Sequence, residues 1–372
     1  MMPAMLRGGD AVQPFLLGHL RSTEQLFLSA LRELDSAATC RISAAADLCI
    51  PHDVIRIAGG FATGCLVQWT SNVPVIPVDT TVNIDTSSIF WLDREPELTA
   101  EDFTNLQVKV EDESSYEWNF HKGNHFISIC RRRSDGRPAL VIHSNEKEFK
   151  YQFNGLMPVP GNWFMEDVRV FRRGGQYLRL LIGDKVPLFV EIAKLMEPYN
   201  IVRHRFLASV LLEGRARFQD DQHKHHYWMP NAQAVAIGCF LCNENETVPI
   251  FSRPGGDIAL FTATAGGSNR VAIPGLEESL LVPHGWGKSV RNSVEVTYDE
   301  QLFTMNGVSF EVQPKVTLGV HPDLIVRNFA DDPESEDSLF SRMASHTPGV
   351  VVDRLQQLRS YSKAGFVNHE AD

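Results

Sequence analysis

The chain has 372 residues, 43% of them hydrophobic and 22% charged, which is ample apolar material for a large buried core. A formal net charge of −11 argues against a surface built for general nucleic-acid binding, and leaves only a local basic groove open, drawn from Arg131, Arg132, Arg133, Arg137, Arg172, Arg173, Arg203, Arg205, Arg215 and Arg217. No apolar run is long enough to cross a bilayer, and Met1 to Asp10 lack a signal-peptide pattern, so a cytoplasmic protein with no membrane partner is expected.

Taken in order, apolar positions at helical spacing (Phe15, Leu16, Leu20, Leu26, Phe27, Leu31, Leu34) predict a helix over 11–36. Val73–Val78 and Ser88–Leu92 read as strands, and Thr99 reads as the N-cap of a helix that follows it. Phe126–Cys130 and Ala139–His143 form a strand pair around a turn at Ser134–Pro138. Residues 187–214 predict helix in two pieces, divided near Pro198. Strand texture returns at Ala234–Phe240, Ile258–Thr262 and Ser279–Val282. Val350–Leu358 suggests a closing helix, and 366–372 a frayed tail. Helices and strands interleave without a regular βαβ beat, which predicts an α+β fold of packed β-sheets with peripheral helices, spanning 1–372 as one domain with an N-terminal helical segment at 1–36.

The six cysteines, Cys40, Cys49, Cys65, Cys130, Cys239 and Cys242, suggest no disulfide framework. Cys239 and Cys242 have the spacing of half a zinc site or of a redox pair, but on a strand their sulfurs face opposite sides, so they read as core. Histidines carry the chemistry. His284 follows the apolar run Leu280–Val282 and precedes Gly285, which displays a side chain at a strand end. His125 leads into a strand, His143 ends one, and His223, His225 and His226 lie in a polar stretch that reads as a turn. Strand-end histidines far apart in sequence suit a metal site assembled by the fold, with Asp79 or Asp85 as a carboxylate ligand of the kind manganese or magnesium accepts. Gly266, Gly267 and Ser268 form a glycine-rich turn able to bring backbone amides to a phosphate.

The order of these motifs resembles the RtcB-type RNA-splicing ligases, over roughly Ile42 to Gly365. Ala46-Asp47-Leu48-Cys49 stands where the family has a Pro-Asp-Leu-His segment, and Asp85-Thr86-Ser87-Ser88 falls on its Asp-x-x-Cys-Gly metal motif. Gly123-Asn124-His125-Phe126-Ile127 matches the Gly-Asn-His-Phe motif. Val141-Ile142-His143-Ser144 matches the next ligand strand, and His225-His226 falls on the family's His-Asn. Glu277 with His284-Gly285-Trp286-Gly287-Lys288 resembles the segment that carries the guanylylated histidine, and Lys363 stands near a C-terminal lysine that contacts guanine.

The resemblance implies a ligase joining RNA ends (tRNA halves or damaged RNA) with GTP and one or two Mn2+ ions, acting as a monomer or weak homo-oligomer. His284 would be the nucleophile, and Asp85, His125, His143 and His225 the metal ligands. Asn124, Gly266, Gly267, Ser268, Glu277, Gly285, Gly287, Lys288 and Lys363 would contact the nucleotide. Ser88, in place of the family's metal-bridging cysteine, favours an alternative: an RtcB-fold binding module that no longer ligates.

Overall fold

The computed structural model describes residues 12–121, 123–252, 255–267, 269–276, 278–285, 288–290, 294–318, 326–328, 340 and 343–370. Its centre is an eleven-stranded antiparallel sheet. Across it run Thr39–Cys49, Thr63–Thr70, Ala234–Ile237, Phe218–Asn231, Asp85–Leu92, Pro138–Asn145, Phe126–Arg132, Gly349–Ser362, Ile258–Ala263 and Thr247–Phe251, with Gly365–Asn368 paired to the end of Gly349–Ser362. With smaller sheets and few helices around it, the fold is α+β.

Asp85–Leu92 is buried along its whole length because both faces of the sheet are covered. Alternation sorts its side chains. Phe90 and Leu92 join Ile127, Ile129, Leu140 and Ile142 in a core under two helices, Ala100–Glu113 and Val186–Leu212. Ile89 and Trp91 join Val141, Phe126, Phe251 and Leu260 on the opposite side. We call the helix-covered side the back face and the other the front face. By the same alternation Asp85, Ser87 and His143 belong to the front, and Thr86, Ser88 and Ser144 to the back.

The N-terminal helix is Val12–Leu34, and Thr99 caps Ala100–Glu113 in a capping box with Asp102. Two helix expectations are corrected. Residues 186–212 form one helix, not two pieces, with Pro198 inside it. Pro198 is on the exposed side, where the carbonyl that loses its donor is not confined to the core. Gly349–Ser362 is a strand rather than a closing helix: three successive β-branched valines, Val350–Val352, open it, and it pairs with both Ile258–Ala263 and Phe126–Arg132.

The polar stretch Asp220–His226 is likewise strand, not turn. It lies inside Phe218–Asn231, held between Asp85–Leu92 and Ala234–Ile237. Cys239 and Cys242 are both buried and join different core clusters, as strand alternation requires. Several of the arginines are committed to partners or buried: Arg131 meets Glu95, Arg132 meets Asp135, Arg172 meets Glu300, Arg205 meets Asp221, and Arg203 is fully buried. Among the described residues, no helix is long and apolar enough to cross a membrane.

A histidine and carboxylate centre on the front face

A β-bulge builds the centre. Asp85 pairs with Tyr227 and Thr86 pairs with His225, so His226 is an extra residue on its strand. The extra residue turns onto the front face, where its Nε2 lies 3.0 Å from Nε2 of His143 and the two rings stack at 4.9 Å. Asp85, His143 and His226 are all buried, and one ligand atom from each lies within 4.8 Å of the others. This group can hold a metal ion.

The donor set fits a cation. His143 Nδ1 donates to the Asn124 carbonyl at 3.1 Å, and His125 Nδ1 donates to the Asn119 carbonyl at 3.1 Å. Both rings therefore turn an unprotonated Nε2 inward, and that of His143 accepts the Nε2–H of His226 in the metal-free protein. Nε2 of His125 faces Asp85 Oδ1 at 3.6 Å, and that oxygen is buried without a hydrogen-bond partner. Two electron pairs thus face each other in a buried space, the arrangement a cation resolves. Burial lowers the His143 pKa to about 4 and that of His125 to about 3, and pushes His226 well below its ordinary value. All three rings are neutral at pH 7, as ligation requires. Burial raises the Asp85 carboxyl, against the pull of His143 and Lys150.

His284 stands beside this group, with its ring stacked on that of His226 at 5.2 Å. Asp47 Oδ2 accepts three hydrogen bonds: from His284 Nδ1 at 2.9 Å, the His284 backbone N–H at 3.0 Å and the Gly285 N–H at 2.9 Å. Asp47 is fully buried, so ring and backbone are fixed together, and Nε2 of His284 carries the free lone pair. Gly285 has φ +105°, and a Cβ there would lie 2.1 Å from the Phe251 carbonyl oxygen, so the close turn after His284 admits only glycine.

The expected site residues do not all come together. Asp85, His125, His143 and His284 share the front face, and a pocket beside them is lined by Asn124, His125, Phe251, Gln357, Ser360 and Lys363. Asn124 holds His143 through its backbone, and Lys363 sits in the hairpin after Gly349–Ser362. His225 is not with them: it lies on the back face, its Nδ1 2.9 Å from Thr86 Oγ1, and His226 stands in the expected position. Gly266 and Gly267 belong to a loop closed by Asn269, with Gly266 N–H donating to Asn269 Oδ1 at 3.0 Å and Thr264 N–H to the Pro348 carbonyl at 3.1 Å. Lys288 begins a short strand paired with Val326–Asn328. Ser268, Glu277 and Gly287 lie outside the described residues.

Asp79, weighed beside Asp85 as a ligand, is instead buried in an ion pair with Arg179. The sequence assigns no role to Asp47, and offers His226 only as one of three neighbouring candidates, with His225 preferred as the ligand. A lone carboxylate inside the apolar run Ala44–Ile50 was the available signal for Asp47. A comparison with protein-family models finds no match for this chain, and a comparison with curated proteins finds none either.

Proposed function

We propose that this chain is a divalent-metal-dependent nucleotidyl-transfer enzyme of the RNA-ligase type, with His284 as nucleophile. One observation carries the reading: a buried histidine, oriented by the buried carboxylate Asp47, presents its free Nε2 next to a histidine and carboxylate group fit for a metal. Asp85, His143 and His226 would hold Mn2+, with His125 beside Asp85. When bound, the ion supplies charge neutralisation at phosphoryl oxygens and alignment of the reacting groups.

His284 Nε2 attacks the α-phosphate of GTP, a P–N bond forms, and pyrophosphate leaves. The GMP group passes to an RNA 3′-phosphate, and a 5′-hydroxyl then displaces GMP as the ends join. Asp47 keeps the Nδ1 proton in place throughout and stabilises the positive charge that develops on the ring. Arg56 and Lys150 act on Asp85 through charge, with Lys150 also paired with buried Asp53 at 3.5 Å.

The rival reading, a binding module that has lost ligation, draws on the net charge of −11 and on Ser88, which has no thiol to offer and whose hydroxyl meets His204 and His223 on the back face. One experiment decides between them. Purified protein with Mn2+ and α-labelled GTP, run on a denaturing gel, is expected to carry label that His284→Ala abolishes. A folded, manganese-binding protein that takes no label from GTP or ATP would overturn the ligase reading and leave the binding module.

A further inference from the structure

Directly behind the metal group, the back face carries a second buried set of polar side chains that the proposed chemistry does not use. His204, from the Val186–Leu212 helix, is fully buried. Its Nδ1 lies 2.7 Å from Ser88 Oγ and its Nε2 2.8 Å from Ser144 Oγ. Ser88 Oγ also lies 2.8 Å from His223 Nδ1, and Nε2 of His223 lies 3.2 Å from Asp221 Oδ2, a contact whose alignment falls short of a hydrogen bond and acts through charge. At the inner end Arg203 Nη1 donates to Ser144 Oγ at 2.9 Å.

The two ends fix the direction of every proton between them. Arginine can only donate, so Ser144 accepts from Arg203 and is free to donate its own proton to His204 Nε2. Burial keeps His204 neutral with a single N–H, which then lies on Nδ1 and points at Ser88. Ser88 donates to His223 Nδ1, and His223 turns its Nε2–H toward Asp221. The reverse order would aim a bare His223 nitrogen at a carboxylate and leave the Ser144 proton without an acceptor among these contacts. Arginine at one end and aspartate at the other thus select one order.

We propose that Ser88, His204 and His223 are positioning residues for the front-face metal group, linked in a one-directional hydrogen-bond relay. The inference rests on the metal reading of that group. Each linked strand carries a front-face ligand close by: Ser144 follows His143, Ser88 is three residues from Asp85, and His223 three from His226. The relay ties the three strands together from behind, so that the ligand atoms in front keep their spacing. It also assigns Ser88 a role that a metal-bridging position does not explain.

The test uses the full chain with two readouts. In the metal-free protein, ring-nitrogen NMR is expected to place the proton of His204 on Nδ1 and that of His223 on Nε2; the opposite tautomer at both would overturn the relay. In a titration with Co2+ followed by absorption, Ser88→Ala is expected to weaken binding about 10- to 100-fold and to alter the cobalt spectrum. Ser88→Thr, which keeps the hydroxyl, is expected to restore both. His223→Gln, at the more exposed end, tests the same link should Ser88→Ala fail to fold, and is expected to weaken cobalt several-fold. Wild-type affinity and spectrum in Ser88→Ala, or in His223→Gln if it stands in, would overturn the positioning role while the metal reading stood. Wild-type protein that bound no cobalt would overturn the metal reading and the positioning role together, with the tautomers still reporting on the relay.

Discussion

On the front of the Asp85–Leu92 strand, Asp85 Oδ1 is buried with no donor and looks 3.6 Å across at a bare histidine nitrogen. On the back of the same strand, Ser88 Oγ sits between two histidine nitrogens at 2.7 and 2.8 Å, with donor and acceptor matched. The residue types are nearly the same on the two sides. The balance of donors and acceptors is opposite, and that balance separates a site from a scaffold. A buried network whose hydroxyls and ring nitrogens are largely matched holds strands together, whereas a carboxylate oxygen and an imidazole lone pair that face each other without a proton are poised for a cation.

The comparison breaks most sharply at His284. On the proposed reading, His284→Ala removes the nucleophile and lowers nucleotidyl transfer by about 10⁴-fold or more, measured as label on the protein. Asp47→Asn leaves the nucleophile in place but loses the charge that orients it, for an expected loss of about 10²- to 10⁴-fold. Thermal unfolding should distinguish these from structural damage.

Asp85→Asn tests the unbalanced face through two effects of opposite sign. Manganese affinity, read by calorimetric titration, should fall by more than the roughly 10–100-fold typical of outer-shell changes. The metal-free protein should become more stable by about 1–3 kcal/mol, because a buried carboxylate facing a lone pair is replaced by a neutral amide with a proton to donate. A loss of metal-free stability would contradict the picture of opposed lone pairs.

Acid should act on the front-face histidines in a defined window. Their folded pKa values lie below the ordinary 6.5, at about 4 for His143 and about 3 for His125. Below pH 6.5 the unfolded chain therefore binds more protons than the folded one, so stability is full above that pH and falls as pH drops toward 4 and then 3. The slope is about 1.4 kcal/mol per pH unit for each such histidine at most. Asp85, whose pKa is raised, contributes in the other direction, gaining stability as pH falls through its folded pKa. Saturating Mn2+ should move the onset of acid unfolding to lower pH, which denaturant midpoints measured across pH 4–7 would register.

Much of this arrangement was legible in the chain. The helical spacing of 11–36, the Thr99 cap and the strand pair around Ser134–Pro138 are local patterns, and each corresponds to an element of the fold. The parts that escaped depend on distant partners. Asp220–His226 has a turn-like composition, and only pairing on both sides makes it strand. Val350–Leu358 offers Leu355 and Leu358 at helical spacing, and its strand state follows from the two neighbours it joins. Among candidate ligands, Asp85, His125 and His143 were visible from motif order. Asp47 needed the knowledge that it lies under the His284 turn, 237 residues away in sequence.

His225 and His226 give the finest comparison, because they are adjacent in sequence and lie on opposite faces. Strand parity alone cannot assign them, since the bulge between the Asp85 and Thr86 pairings inserts one residue. His225 touches Thr86 Oγ1 at 2.9 Å, and Asn200 Nδ2 donates to that same oxygen at 2.7 Å, so the hydroxyl proton points to His225. His225→Ala leaves the Thr86 proton unmatched in a buried place, for an expected loss of about 1–2 kcal/mol in unfolding free energy. It should leave manganese affinity within about threefold, because no front-face atom moves with it. His226→Ala should remove most of the metal affinity. Equal losses of affinity in the two variants would mean that the bulge is misplaced and that both histidines reach the ion. Separate outcomes would locate the metal on the front face through a single peptide step along the strand.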